Sequence, residues 1–82
     1  MKEQEIEKNS DDIYALISRN VKKYRTLSKM TQASLAERVD LSHEFIRRIE
    51  SKKGKKGVSV DTVYRISRAL NIEIKKLFEE EN

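Results

Sequence analysis

The chain has 82 residues, 39% of them charged, with no cysteine, no proline and only two glycines. That length allows one domain with a small core. The composition suits a helical bundle and argues against a sandwich or barrel, and disulfides and thiolate metal centres are excluded. No apolar run approaches a membrane span, and the opening MKEQEIEKN lacks the apolar stretch of a secretory signal, so a cytoplasmic chain without membrane contact is expected.

The net charge of +4 is unevenly spread. Residues 1–12 carry two lysines against three glutamates and two aspartates, and residues 73–82 are also acidic on balance. Residues 13–30 hold five basic side chains and no acidic one, and SKKGKKG (residues 51–57) holds four lysines. Two basic blocks on either side of residues 31–50 form the footprint of a phosphate-binding surface.

In chain order, residues 1–11 read as a disordered or frayed acidic N-terminus, and residues 12–78 as the folded domain. Ser10, Asp11 or Asp12 would cap the first helix. Ile13, Leu16, Ile17, Val21 and Tyr24 form its apolar stripe, which runs to about Leu27. Arg19, Lys22 and Lys23 lie off that stripe. Residues 27–30 connect to a second helix capped by Thr31, with Leu35, Ala36 and Val39 inward. Asp40 stands where the chain must turn, and aspartate tolerates a left-handed backbone. Leu41 returns inward, and Ser42 caps a third helix whose inward stripe is Ile46 and Ile49. His43, Glu44, Arg47 and Arg48 must then face outward. Residues 51–57 read as a flexible basic loop. Ser59 caps the fourth helix, with Val58 and Val63 as a hydrophobic staple. Val63, Ile66, Ala69 and Leu70 point inward, and Asn71 suits a left-handed helix end. Ile72, Ile74, Leu77 and Phe78 close the core in a short last helix or turn, and residues 79–82 form an acidic tail.

The unit TQASLAERVDLSHEFIRRIE (residues 31–50), preceded by RNVKKYR and followed by VSVDTVYRISRALNIEIKKLF, resembles the helix-turn-helix of the phage-repressor or Cro-like (Xre) regulators. The resemblance spans about residues 13–78. It implies an all-α, compact five-helix fold like that of lambda repressor, with the helix of residues 42–50 in the DNA major groove. It also implies that Arg25 pairs with Glu50, tying the first helix to the third. Gln32 would touch a phosphate and buttress a polar side chain of the recognition helix, and the lysine loop would run along the DNA backbone.

Base contacts are expected from Gln32, His43, Glu44, Phe45 and Arg48. Arginine offers a fork to guanine, glutamate accepts from cytosine N4, and an exposed phenylalanine can pack on a thymine methyl or fold back onto the protein. Glu44 and Arg48, four apart, could also pair with each other. Phosphate contacts are expected from Lys22, Thr31, Ser42, Arg47, Ser51, Lys52, Lys53, Lys55 and Lys56. Phe45 and Asp40 depart from the family, which usually has a small hydroxyl residue and a glycine there. The single histidine lacks partner ligands, and no phosphate loop or carboxylate dyad appears, so neither a metal, a cofactor nor an enzyme is expected. The expected role is a sequence-specific, nucleoid-associated transcriptional regulator, a repressor first. It would bind a double-stranded DNA operator as a homodimer, with a partner protein as a possible source of control. The alternative is a protein-interaction adaptor, or the antitoxin of a toxin–antitoxin pair, on the same fold.

Overall fold

The computed structural model describes the backbone of residues 2–51 and 57–80, and side chains from residue 13 onward within those segments. Among the described residues it is all-helical. The elements are α1 (Lys2–Leu27), α2 (Gln32–Val39), α3 (His43–Glu50), α4 (Val60–Ala69) and a 3-10 helix (Ile74–Phe78). The expected fifth helix is thus a 3-10 stretch, beside four α-helices. The helix start expected at residues 10–12 is also corrected, because α1 is helical from Lys2. Residues 2–8 are lysine, glutamate, glutamine and one isoleucine, mostly strong helix formers.

Local chemistry sets the helix ends. Thr31 Oγ1 accepts from Ser34 N–H at 3.0 Å, Ser42 Oγ from Phe45 N–H at 3.0 Å, and Ser59 Oγ from Thr62 N–H at 3.0 Å. Each satisfies an amide that its helix leaves unpaired. Lys29, Asp40 and Asn71 adopt left-handed backbone, with φ of 60°, 59° and 61°. At Asp40 this reverses the chain within hydrogen-bond reach of α2. The Leu41 N–H donates to Ala36 O at 2.9 Å and that of Asp40 to Glu37 O at 3.2 Å.

Helix α3 packs on α1 and α2, α4 packs on α2 and the 3-10 helix, and the 3-10 helix closes on α1. Val21, Leu35, Ile46, Ile66 and Leu77 are fully buried where these elements meet. Ala36, 3% exposed, presents only a methyl group in this core. Three expected core positions lie outside it, the first being Ile13, 37% exposed at the edge of the α1 stripe. Leu27 is 65% exposed, because the chain folds back at Lys29 and Met30 takes the inward place beside the core. Phe78 is 38% exposed, and Leu77 fills the interior in its stead.

Polar side chains brace the bundle from inside. Ser18 Oγ donates to Ile49 O at 2.5 Å, joining α1 to the end of α3. Asn20 Nδ2 donates to Leu77 O and Glu79 O, both at 2.9 Å, and so fastens the C-terminal turn to α1. Arg65 Nη2 donates to Val39 O at 2.5 Å, satisfying a carbonyl at the end of α2. Among the described residues no buried side-chain nitrogen or oxygen lacks a partner.

Ile46→Ala should cost about 2–5 kcal/mol in urea denaturation, since the side chain leaves a void where α1, α2 and α3 converge. Asp40→Gly should raise stability by up to about 1 kcal/mol in the same assay, because glycine carries no steric cost at a left-handed φ.

Candidate nucleic-acid interface

Helix α3 is fixed from behind and polar in front. Ile46 is fully buried and Ile49 half-buried, while His43, Glu44, Arg47 and Arg48 are exposed. The fixing is covalent in spirit only; its chemistry is an ion pair at the end of the helix. Arg25 Nε donates to Glu50 Oε2 at 2.6 Å, and Arg25 Nη2 to Glu50 Oε1 at 3.0 Å. A third N–H, on Nη1, donates to Met30 O at 2.7 Å, so the same guanidinium also holds the connection between α1 and α2. The Glu50 side chain is only 3% exposed, and both of its oxygens are occupied. Pairing in that setting fixes geometry more than it adds net stability, because desolvation offsets much of the attraction.

Glu50 also receives Gln32 Nε2 at 2.9 Å, and Gln32 Oε1 lies 3.4 Å from His43 Nε2. The structure therefore brings Arg25, Glu50, Gln32 and His43 into one chain of contacts that starts on α1 and ends on the outward face of α3. Glu44 does not pair with Arg48 as its spacing allowed. It pairs with Arg47 at 2.6 Å, three residues on. The Arg47 hydrogen bond, reinforced by its charge, holds the Glu44 carboxyl below its usual range, and Glu44 pushes the Arg47 guanidinium up in return. Arg48 is left with no ion-pair partner among the described residues.

Phe45 turns toward the protein. Its half-buried ring lines an apolar recess between α1 and α3 with Tyr14, Ile17, Ile49 and Val58, and Arg48 borders the same recess. Gly57 closes the recess at a near approach, since a Cβ there would stand 2.9 Å from Tyr14 Oη. Of the two expectations for Phe45, this placement favours folding back onto the protein.

The remaining site residues fall as follows. Thr31 and Ser42 are exposed, with hydroxyl oxygens engaged as caps and hydroxyl hydrogens available to an anion. Lys22 is exposed on α1, one turn before Arg25. Ser51 is half-buried at the end of α3, where its N–H donates to Arg48 O at 3.2 Å. Lys52, Lys53, Lys55 and Lys56 lie outside the described residues. Sequence reasoning missed Ser18, which anchors the end of α3 from α1. The available signal was a serine beside Ile17 in an otherwise apolar stripe.

Comparisons with known proteins agree with this geometry. The Helix-turn-helix family profile matches residues 21–77. Control protein C.SmaI of Serratia marcescens is 32% identical over 66 residues, which are 80% of this chain and 76% of that protein. The crystal structure of the restriction-modification controller protein C.AhdI from Aeromonas hydrophila superposes with a TM-score of 0.72 at 25% identity, covering 79% of this chain and 96% of that one. A hypothetical transcription factor from Neisseria, NHTF, gives a TM-score of 0.76 at 18% identity over 82% of this chain and 75% of its own, a likeness of fold.

Arg25→Met should lower stability by about 3 kcal/mol in urea denaturation, because it leaves the Glu50 carboxylate buried without its cation. The double variant Arg25→Met/Glu50→Leu should recover much of that loss, since an apolar pair carries no desolvation penalty.

Proposed function

This chain belongs to the helix-turn-helix family of DNA-binding transcriptional regulators, and on that premise we propose that it binds a two-fold symmetric operator as a homodimer and controls restriction-modification genes. The observation that carries the reading is α3 itself. It is a short helix locked by the Arg25–Glu50 pair, with Arg48 unpaired and exposed on its outward side among the described residues. In this reading α3 enters the major groove with His43, Glu44 and Arg48 at base edges. Gln32 supports His43, and Arg48 offers its fork to a guanine. Thr31, Ser42 and Arg47, with Lys22, Ser51 and the four lysines of residues 52–56, serve the phosphates.

Two of the three similar proteins are described as control or controller proteins, one of them of restriction-modification, and that supports the choice of target genes. Two copies are needed on size grounds, because a single eight-residue recognition helix spans only a few base pairs. The role of a repressor follows if the operator overlaps the promoter. The exposed apolar side chains Val60, Tyr64 and Phe78 provide surface for a second copy.

Selection from a random duplex pool should yield a short palindrome with half-sites about one helical turn apart, roughly ten base pairs. Arg48→Ala should weaken binding to the selected site by about 1–3 kcal/mol and relax preference at one base pair per half-site, with circular dichroism unchanged. Equal binding of all sequences, or unchanged affinity of Arg48→Ala, would overturn the reading and favour an interaction adaptor.

A further inference from the structure

The contacts behind His43 leave its ring little choice of hydrogen position. Glu50 takes three N–H bonds, two from Arg25 and one from Gln32. A carboxylate in that role offers only lone pairs, so the Gln32 amide must present its NH2 group to Glu50. Its carbonyl oxygen is thereby turned to His43, at 3.4 Å from Nε2. An amide oxygen only accepts, so the ring nitrogen facing it must carry the hydrogen. A neutral imidazole has one such hydrogen, and Nδ1 is then bare. His43 is exposed, and among the described residues nothing hydrogen-bonds to Nδ1.

We propose that Arg25, Glu50 and Gln32 hold neutral His43 as the Nε2–H tautomer, and that His43 reads the operator as an acceptor. Through Nδ1 it takes a hydrogen bond from a base amine, cytosine N4 or adenine N6. This rests on the DNA-binding reading above. Phosphate oxygens, guanine O6 and N7, and thymine O4 are all acceptors, so none of them can partner the bare nitrogen. His43 therefore specifies sequence and does not grip the backbone. Arg48, a pure donor, has the complementary preference for guanine. Helix α3 then carries an acceptor in its first turn and a donor fork in its last. Gln32 and Glu50 are positioning residues, acting on DNA through the histidine.

Two measurements decide this. Long-range proton–nitrogen correlation on the 15N-labelled protein without DNA, at about pH 8.5, above the ordinary titration range of a free imidazole, should show His43 with Nε2 protonated and Nδ1 bare. In Gln32→Ala the two nitrogen shifts should move toward each other as the tautomers mix. A protonated Nδ1 in the wild-type protein, or shifts indifferent to Gln32→Ala, would overturn the tautomer assignment whether or not an operator exists. The second measurement is a cycle between His43→Ala and altered operators at the same pH. Replacing the contacted adenine by purine, or the contacted cytosine by a base without its 4-amino group, should abolish the difference between wild type and His43→Ala, an effect of roughly five- to a hundredfold. Methylphosphonates at neighbouring phosphates should leave that difference intact. The opposite pattern would make His43 a backbone contact and overturn the proposal. Failure of selection to enrich any site would sink the DNA-binding reading, with the tautomer decided by the spectra alone.

Discussion

The Glu50 carboxylate is the point on which the interface depends. It closes α3, yet its partners come from α1 and α2, so three helices meet at one pair of oxygens. Removing it would free Arg25 to hold only the Met30 carbonyl and would release Gln32 from a defined orientation. The core alone buries Ile46 and Leu35 and so brings the helices together. Apolar packing, however, tolerates small rotations about a helix axis, whereas a bidentate guanidinium–carboxylate contact does not. The angle at which α3 presents its outward side chains is therefore set by charge-assisted hydrogen bonds, on a bundle held together by hydrophobic burial.

Phe45 changes the character of the recognition helix. A small hydroxyl residue at this position would leave α3 lying on α1 with a shallow depression between them. The half-buried phenylalanine fills part of that space and meets Tyr14 and Val58 there, and the chain at Gly57 crosses close to the Tyr14 hydroxyl. Arg48 borders the same recess. The backing of the recognition helix is thus aromatic on one side and ionic on the other: the polar chain from Arg25 ends at His43, whereas Arg48 borders the apolar recess.

What was legible in the sequence was mainly what neighbours decide. Thr31, Ser42 and Ser59 cap helices through amides three residues away, and Asp40 and Asn71 take left-handed backbone because of their own short polar side chains. The Arg25–Glu50 pair spans 25 residues and was reached only through resemblance to a family, since no local pattern links the two. Ser18, Asn20 and Arg65 were missed for a related reason. Each donates to a backbone carbonyl far along the chain, and every residue carries a carbonyl, so the partner leaves no mark in the sequence. The partner of Glu44 was undecided by spacing, because Arg47 and Arg48 are both within a turn. The early start of α1 was hidden by charge: the composition of residues 2–12 fits a solvated coil and a solvated helix alike.

Helix α1 has a further property as a rod. At 26 residues it is about 39 Å long, close to the molecule's greatest extent of 42 Å. Residues 2–12 at its amino end are acidic on balance in the sequence, and its carboxyl half carries Arg19, Lys22 and Lys23 beside the Arg25 that Glu50 neutralises. Charges of opposite sign at the two ends of a stiff body make a permanent electric dipole. In the field of a duplex such a body experiences a torque before it makes any contact, and it turns its basic end, where Arg25 meets α3, toward the phosphates. Encounters then begin in a narrow range of orientations, and dissolved salt shortens the distance over which that alignment acts.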